Sequence, residues 1–322
     1  MSTNITVVGS YIVGMTMCAA QFPVPGETVV GFNYQQLHGG KGSNQAVGCA
    51  RLGANVQFIT AIGDDSFGRG ALALYCKEGV DSSHILVAKK DEAPTGVGFV
   101  IVDGNGENII VIDIGANKLI TPDFVDSKWE NIKASRLIMT QMEIPLSTVI
   151  HLMKRASKEG LSTLLNPAPY NALPAEVWKY IDYATPNETE TRQLLGLSLT
   201  DKTEPKDLAK ELHKLGCKNV ILTLGSKGAY VSRYDGKGEF ISAEKVIAVD
   251  TTGAGDCFAS ALGVSVAKGA SLKEAAEYAV KAAAKCVTKY GVIESLPYMD
   301  DMLKHCRHCI SRSNLDSSPA DF

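Results

Sequence analysis

The sequence predicts an α/β fold, in which a central, mostly parallel sheet carries helices on both faces and a small accessory sheet accompanies it. Short apolar runs rich in β-branched residues alternate with longer segments whose apolar residues recur at helical spacing. Such an alternation indicates parallel strands that are buried on both faces. Two β-rich segments early in the chain interrupt the alternation, and we assign them to the accessory sheet.

Each element follows from a local pattern. The runs assigned to the main sheet are Ile5–Gly9, Val56–Ile59, Arg136–Met139, Thr163–Leu165, Tyr183–Pro186, Val220–Leu224 and Val246–Val249. Helical spacing predicts, among others, helices over Gln45–Leu52, Leu146–Ser157, Glu204–Leu215 and Leu272–Thr288. Of the accessory segments, Thr28–Leu37 is a single β-rich run, whereas Gly96–Ile114 carries Asp-Gly-Asn-Gly between two β-branched runs, a pattern typical of a hairpin. We expect the accessory strands within about residues 15–38 and 94–114.

Length and charge narrow the class of protein. A chain of 322 residues suits one large α/β domain or two smaller ones. We assign a single domain to residues 1–310 and expect the polar residues 311–322 to be a disordered tail. The net charge of −3 argues against a nucleic-acid-binding surface, which is normally basic. No apolar run has the length of a membrane span, and the first residues lack a signal-peptide pattern. We therefore expect a cytoplasmic protein that binds neither nucleic acid nor membranes.

The cysteines are the next candidates for a functional role. Most of the 8 lie in apolar surroundings and are widely spaced, so we expect reduced, buried thiols rather than disulfides. The one cluster, His-Cys-Arg-His-Cys at residues 305–309, has two interpretations: half of a metal site, or the end of a last helix over Met299–Ile310. Because no second Cys or His pair lies at zinc-finger spacing, the sequence favours the helix.

A glycine-rich turn gives the sharpest functional signal. Thr-Thr-Gly-Ala-Gly-Asp, at residues 251–256, follows the run Val246–Val249 and precedes an apolar helical pattern. Glycines at a helix start let a ligand approach the backbone, and the free N–H groups of the first turn attract anions. A carboxylate beside that anion, here Asp256, is well placed to accept a proton from an attacking hydroxyl. The alternative is an ordinary capped helix start, but capping alone does not need two glycines.

At these residues the chain resembles the ribokinase branch of the PfkB carbohydrate kinase family. The run DTTGAGD at residues 250–256 matches one family signature, and GGKGSNQAVGCARLG at residues 39–53 matches the other. Between these two signatures lie further blocks in the family's order: NPAP at 166–169, PNETE at 186–190 and TLGSKGAY at 223–230. The resemblance implies an α/β core with a small β lid, and ATP-dependent phosphorylation of a sugar hydroxyl with Mg²⁺ and an activating K⁺.

The resemblance also implies roles for residues around the reacting hydroxyl. The catalytic set is the base Asp256 together with the anion hole of Gly253, Ala254 and Gly255. The substrate-binding set is Gly40, Lys41, Asn44, Glu143 and Asp256. Two structural alternatives stand beside these roles. Gly39 and Gly40 could form a strand-to-helix turn that Asn44 caps, and Glu143 could be a solvated loop residue.

The remaining implied roles concern the nucleotide and the metals. The residues assigned to ATP are Asn187, Thr223, Gly225, Ser226 and Gly228. Glu190 is assigned to Mg²⁺ through bound water, since Mg²⁺ keeps much of its hydration. The residues assigned to a monovalent cation are Asp250, Thr252, Gly291 and Ser295. A helix capping arrangement would give Asn187 and Glu190 the same spacing, and turns use the same glycines for structural reasons.

The chain departs from the family pattern at two positions after the first strand. The family carries Asn and Asp there, in a run like G-S-x-N-x-D, and this chain has Ile12 and Gly14. Neither residue can make side-chain hydrogen bonds to a sugar. Val280 also stands where many relatives have a polar residue beside the adenine.

The sequence therefore predicts an ATP-dependent carbohydrate kinase that phosphorylates the primary hydroxyl of a pentose-like sugar. The alternative is a PfkB-family kinase for another sugar, a polyol or a nucleoside, because Ile12 and Gly14 replace expected sugar ligands. A binding protein without catalysis would have lost Asp256 or the glycines, and a dehydrogenase would carry G-x-G-x-x-G after the first strand. The accessory sheet would expose an apolar face, so we expect a homodimer through the lids.

Overall fold

The structure is a computed structural model, and it describes residues 3–303. Its strands are β1 (Asn4–Val8), β2 (Ile12–Cys18), β3 (Phe32–Gly39), β4 (Asn55–Ile59), β5 (Ala61–Gly63), β6 (Leu86–Ala88), β7 (Gly96–Val102), β8 (Asn108–Asp113), β9 (Leu137–Thr140), β10 (Ser162–Leu165), β11 (Tyr183–Ala184), β12 (Asn219–Thr223), β13 (Ala229–Arg233) and β14 (Gly238–Ile241). Its helices are α1 (Lys41–Arg51), α2 (Ser66–Glu78), α3 (Pro122–Ser127), α4 (Trp129–Ile132), α5 (Leu146–Lys158), α6 (Glu188–Leu194), α7 (Pro205–Lys214), α8 (Ala254–Ala267) and α9 (Leu272–Cys286). Short 3₁₀ turns cover Gly115–Leu119, Ala175–Tyr180 and Gly225–Lys227.

The main sheet has 8 strands in the order β14-β13-β12-β11-β10-β9-β1-β4. The strands from β12 to β4 are parallel, and β13 and β14 add an antiparallel edge beside β12. This arrangement confirms the predicted α/β class. Because the loops after parallel strands meet at one edge of a sheet, the chain collects its polar loop residues along that edge.

Both faces of the main sheet are covered, as the continuous apolar strands require. Ile5 and Val7 of β1 point into a core that α1, α8 and α9 also enter. Val8, on the opposite face of the same strand, packs in a second core with α5 and α7. The side chains of all three β1 residues are fully buried. The alternation of the strand thus fixes which helices lie on which face.

The far end of α1 is anchored to α2 and to the segment after α9. Arg51 donates two hydrogen bonds to the carboxylate of Glu78, each 2.8 Å long, and a further one of 2.9 Å to the carbonyl of Leu296. The side chains of this ion pair are only 7% and 3% exposed. A buried pair of this kind is costly to break because either partner alone would be an uncompensated charge. The pair therefore fixes the position of α1, whose first turn carries the predicted sugar-binding residues.

The accessory sheet has 4 strands in the order β3-β2-β7-β8 and lies apart from the main sheet. Residues 96–113 form the predicted hairpin, with β7 and β8 antiparallel. Strand β2 begins at Ile12, earlier than the range proposed from the sequence, and pairs with both β3 and β7. All 6 residues of β8 are exposed. This sheet is called the lid below.

One strand prediction was wrong. Residues 246–249 form no strand, and Val246, Ile247 and Val249 are 43%, 88% and 61% exposed. The amide of Val249 donates instead to the carbonyl of Val287, at the C-terminal end of α9. The apolar, β-branched composition suits a buried strand, but β14 already forms the edge of the sheet on this side. The segment instead forms part of the wall of a cavity that is described below.

Other sequence expectations concern cysteines and segments near the C-terminus. The cysteines of the described residues are all free thiols, and 4 of them are buried, namely Cys49, Cys217, Cys257 and Cys286. The cluster at 305–309 and the tail at 311–322 lie outside the described residues. Among residues 3–303, no helix combines the length and the apolar character that a membrane crossing needs.

Candidate active site

The glycine-rich turn forms the start of α8, as the motif predicts. Gly253 caps the helix with φ of 78°, a backbone conformation that favours glycine, and a Cβ there would lie 2.6 Å from Val292 Cγ1. A Cβ on Gly255 would meet no atom within 4 Å, so this side of the turn is open. The amide of Ala254 donates to the carbonyl of Thr251 at 3.3 Å. The first-turn amides of Gly255 and Asp256 face the same end of the helix, where N–H groups lack intrahelical carbonyls.

The carboxylate of Asp256 is buried and is held by the first turn of α1. Its side chain accepts a hydrogen bond of 2.8 Å from Asn44 Nδ2 on one oxygen and one of 3.0 Å from Gln45 Nε2 on the other. The residue is 4% exposed. The side-chain amide oxygen of Asn44, Oδ1, is buried and has no hydrogen-bond partner within residues 3–303. An unpaired buried acceptor beside a carboxylate is suited to bind a hydroxyl group of a ligand.

Lys41 and Glu143 are in contact at the start of α1. The negative charge of Asp256 is the largest influence on the pKa of Lys41, which is raised despite burial, so this lysine keeps its positive charge. Glu143 is not a solvated loop residue: its Oε2 accepts hydrogen bonds from Ser10 Oγ at 2.5 Å and from the Lys41 amide at 2.8 Å. Gly40 has φ of 87°, and a Cβ there would lie 2.7 Å from the amide nitrogen of Ile12. The two loops are therefore packed too closely for any other residue at position 40.

A chain of buried amides behind Asp256 was missed from the sequence. Gln141 Nε2 donates to Gln45 Oε1 at 2.6 Å, and Gln45 Nε2 also lies 3.2 Å from Asn166 Oδ1. Asn166 Nδ2 donates in turn to the carbonyl of Thr185 at 3.0 Å. Gln45 and Asn166 fall inside quoted motifs, but their spacing gives no sign of a contact. The network connects three loops of the main sheet to one carboxylate oxygen.

A cavity of about 670 Å³ lies beside the start of α8. The 5 residues assigned to ATP all line it, and they are Asn187, Thr223, Gly225, Ser226 and Gly228. Ala254 and Gly255 of the glycine-rich turn line it as well. Apolar side chains cover another part of the wall, among them Phe258 and Val280. A polar end that meets an anion-binding turn and an apolar remainder suit a molecule with a phosphate group and a flat ring.

Asn187 and Glu190 form a helix capping box at the start of α6. Asn187 Oδ1 accepts from the amide of Glu190 at 2.7 Å, and Glu190 Oε2 accepts from the amide of Asn187 at 2.9 Å. The capping alternative is therefore present in the structure, and it leaves the second carboxylate oxygen of Glu190 free of this bond. Burial is the main reason that the pKa of Glu190 is raised, and the nearby charge of Asp256 raises it further.

Three of the four residues assigned to a monovalent cation meet where the loop before α8 contacts the loop after α9. The carboxylate of Asp250 accepts from the amide of Thr252 at 2.9 Å and from the amide of Gly291 at 3.1 Å. The Ser295 hydroxyl donates to the carbonyl of Val292 at 2.8 Å and lies near Cys286. Within residues 3–303, no group of three or more His, Cys, Asp or Glu side chains could hold a metal ion. A cation here would depend on one carboxylate and on carbonyl oxygens, which suits a weakly held, oxygen-bound ion.

An anion-binding helix start, a buried carboxylate and a large cavity at the ends of parallel strands define the class of protein: it is a phosphotransferase with an α/β core and a lid. The family model described as pfkB family carbohydrate kinase matches residues 2–299. The chain therefore belongs to this family of carbohydrate kinases.

Individual relatives agree with this family. A ribokinase of Haemophilus influenzae is 39% identical over 308 residues, which cover 96% of this chain and 100% of that protein. A deoxyribokinase of Salmonella typhi is 34% identical over 92% of this chain and 96% of its own length. The solved structure of Arabidopsis thaliana ribokinase complexed with ribose and ATP aligns with a TM-score of 0.87 at 32% identity, covering 94% of this chain and 98% of that one.

Replacing Gln45 with leucine tests the amide network. The change removes one hydrogen bond from a buried charged carboxylate, which we expect to lower the turnover number by about tenfold or more while ATP affinity stays within about twofold. Steady-state ADP release and ATP titration measure the two quantities. Gln57→Leu is the matched control, because Gln57 lies in β4 and its side-chain oxygen accepts from Thr6 of the neighbouring strand, outside the amide network. Full turnover in Gln45→Leu would show that the network does not orient Asp256.

Replacing Glu190 with glutamine tests the raised pKa of its carboxyl group. A carboxyl whose folded-state pKa is raised favours folding below its usual value of 4.5, and this contribution is lost as pH rises through the raised value. Glutamine keeps an oxygen for the capping bond but carries no charge. We therefore expect a higher melting temperature than the parent at about pH 8, with a difference that shrinks toward about pH 4.

The control for this substitution is Glu188→Gln, at the first position of the same helix. Thermal melts of the ligand-free protein across that pH range provide the measurement. Equal or lower melting temperatures for Glu190→Gln at the alkaline end would contradict the burial argument.

Proposed function

We propose that this kinase transfers the γ-phosphate of ATP to the primary hydroxyl of a pentose-like sugar, with Asp256 as the base. One observation carries the proposal. Asp256 lies between the residues of α1 that are assigned to the sugar, Lys41 and Asn44, and the glycine-rich turn, which opens onto the large cavity. The named activities of the relatives, ribokinase and deoxyribokinase, support a pentose as the acceptor. The ribose and ATP named with the Arabidopsis structure support the same pair of substrates.

The residues of the site have complementary tasks in this reaction. The sugar hydroxyl binds beside Asn44 Oδ1, the unpaired buried acceptor, and loses its proton to Asp256 as its oxygen attacks the γ-phosphorus. The bond from that phosphorus to the β-phosphate oxygen breaks, and ADP leaves with the electron pair. The amides at the start of α8 stabilise the negative charge on the transferring group. Asn44 and Gln45 hold the carboxylate so that it need not reorient during the step.

Lys41 and Glu143 complete the acceptor side. The positive charge of Lys41 balances the buried carboxylate, and its ammonium group can donate to a sugar hydroxyl. Glu143 fixes the amide of Lys41 and the hydroxyl of Ser10, so the acceptor loop keeps one conformation. Such preorganisation lets binding energy serve the orientation of the hydroxyl rather than the ordering of the protein.

ATP, Mg²⁺ and K⁺ are the proposed cofactors, and the residues present suit them. ATP would occupy the large cavity, with its phosphates toward Gly255 and its base toward Val280. Mg²⁺, when bound, neutralises phosphate charge, and Glu190 would hold it through water. Asp250, Thr252 and Gly291 would hold K⁺ with carboxylate and carbonyl oxygens, and Ser295 follows Gly291 in the loop after α9. Because the unpaired thiols described above also suit a reducing compartment, we propose that the enzyme acts in the cytoplasm.

Replacing Asp256 with asparagine tests the base. Asparagine has a similar shape but cannot take the proton, so we expect turnover to fall by about a hundredfold to ten-thousandfold while ATP still binds. ADP release with D-ribose as acceptor and calorimetric titration of ATP give the two values. Asp64→Asn is the control, because the side chain of Asp64 is 57% exposed. Turnover near that of the parent would rule out Asp256 as the base.

The lid supports the proposal of a homodimer. On the face opposite Ile12, the apolar side chains of Met17, Phe99, Ile109 and Val111 are 40% to 64% exposed. Neighbouring strands carry them in register, so they form one continuous apolar surface. We expect a dimer in light scattering, and Val111→Asp to produce a monomer, whereas the control Asn108→Asp keeps the dimer. A parent protein that is monomeric at all concentrations would contradict this pairing.

A further inference from the structure

A hydrogen bond between a tyrosine and a histidine joins the lid to the core next to the acceptor site. The hydroxyl oxygen of Tyr11 and Nδ1 of His38 are 2.7 Å apart. His38 lies in β3, and only Gly39 and Gly40 separate it from Lys41. Neither ring has a task in the chemistry proposed above, although the bond lies directly before the first residue that is assigned to the sugar.

The core holds Tyr11 from several sides. Its ring is fully buried and packs edge-on against the ring of Tyr75, with centroids 6.1 Å apart. The side chain of Asn117 accepts from the amide of Tyr11 at 2.9 Å and donates to its carbonyl at 2.8 Å. The hydroxyl of Tyr75 donates in turn to Ser43 Oγ at 3.0 Å, in the first turn of α1. Tyr11 is therefore a fixed point against which the neighbouring loop can be held.

Tyr11 contacts the residues before α1 at two points. Its hydroxyl bonds to His38, and its Cα would lie 2.9 Å from a Cβ on Gly40. Glycine has more backbone freedom than any other residue, and two consecutive glycines precede Lys41. A turn of this composition keeps one conformation only where contacts on both sides fix it. Tyr11 provides such contacts on the side of β3.

The bond has a defined direction. Burial is the largest influence on the pKa of Tyr11 and raises it, so the hydroxyl keeps its proton. Burial also lowers the pKa of His38, and it outweighs the charge of Glu294, which acts in the opposite direction, so the ring is neutral near neutral pH. A neutral imidazole has one acceptor nitrogen, and within residues 3–303 the Tyr11 hydroxyl has no other hydrogen-bond partner. The hydroxyl therefore donates to Nδ1, because a buried donor without an acceptor is costly.

We propose that Tyr11 and His38 are positioning residues of the acceptor site. Their hydrogen bond holds residues 38–41 in the conformation in which Lys41 meets the sugar, before the sugar binds. This inference rests on the proposed kinase function and deepens it, because it explains how a loop with two consecutive glycines is ready for the acceptor. Without the bond, the sugar itself would have to order the loop, at a cost in acceptor affinity. The carboxylate of Asp256 is held separately, by Asn44 and Gln45, so the chemical step is unchanged.

The variants Tyr11→Phe and His38→Leu each remove the bond. The acceptor is whichever of D-ribose and 2-deoxy-D-ribose the parent phosphorylates faster, and coupled ADP release with Mg²⁺ and K⁺ gives the constants. We expect KM for this sugar to rise by about tenfold or more in both variants, while kcat and KM for ATP stay within about threefold. The double variant should match the single ones, because all three lack the same bond.

A rescue variant and a matched control separate this role from a general effect on the fold. In His38→Asn the side-chain amide lies close to the position of Nδ1 and can accept from the Tyr11 hydroxyl, so we expect KM for the sugar within about threefold of the parent. Tyr234→Phe is the control, because Tyr234 also packs against a histidine, His213, but is 68% exposed at the β13–β14 edge of the main sheet. Thermal melts verify that each variant folds.

An unchanged KM for the sugar in the folded single variants, with or without a fall in kcat, would show that the inference is wrong while the kinase function stands. The same conclusion follows if His38→Asn is as impaired as His38→Leu. If Tyr11→Phe does not fold, the comparison of these two His38 variants decides alone. If the folded, ATP-binding parent phosphorylates neither sugar, the proposed pentose kinase function falls, and this inference with it.

Discussion

The buried carboxylate of Asp256 is the constraint on which the rest of the site depends. A charge that is 4% exposed has to be paired and hydrogen-bonded, and the first turn of α1 supplies both requirements through Lys41, Asn44 and Gln45. The starts of α1 and α8 must therefore lie together, although about two hundred residues separate them in the chain. The parallel sheet makes this possible, because the loops that follow its strands converge on one edge.

Helix α1 is fixed at both ends. The side chains of its first turn, which hold the carboxylate of Asp256, therefore keep their position. Its last residue, Arg51, forms a buried ion pair with Glu78, and its first residue gives its amide to Glu143. At Gly40 the backbone before the helix packs directly against the backbone at the start of β2, with no room for a side chain. The outermost lid strand, β8, is in contrast exposed along its whole length.

The sequence predicts much of this arrangement because its signals are local. Continuous apolar runs identify the parallel strands, and the glycine turn identifies the start of α8. Residues 246–249 have the same composition as a buried strand, and only the tertiary structure shows that they line a cavity instead. The contacts of Gln45, Gln141 and Asn166 join three distant segments, so no spacing rule could reveal them. Ile12 and Gly14 are visible as a departure from a pattern, but the contact of Tyr11 with His38 depends on how β2 and β3 pair.

We propose that the site directs phosphate to a primary sugar hydroxyl, with Asp256 removing its proton. The most direct measurement is proton-coupled ³¹P NMR of the product formed from ATP with D-ribose or with 2-deoxy-D-ribose. A phosphate ester on a primary carbon couples to two methylene protons and gives a triplet, and we expect this triplet. A doublet from a secondary ester, or inorganic phosphate as the sole product, would contradict it.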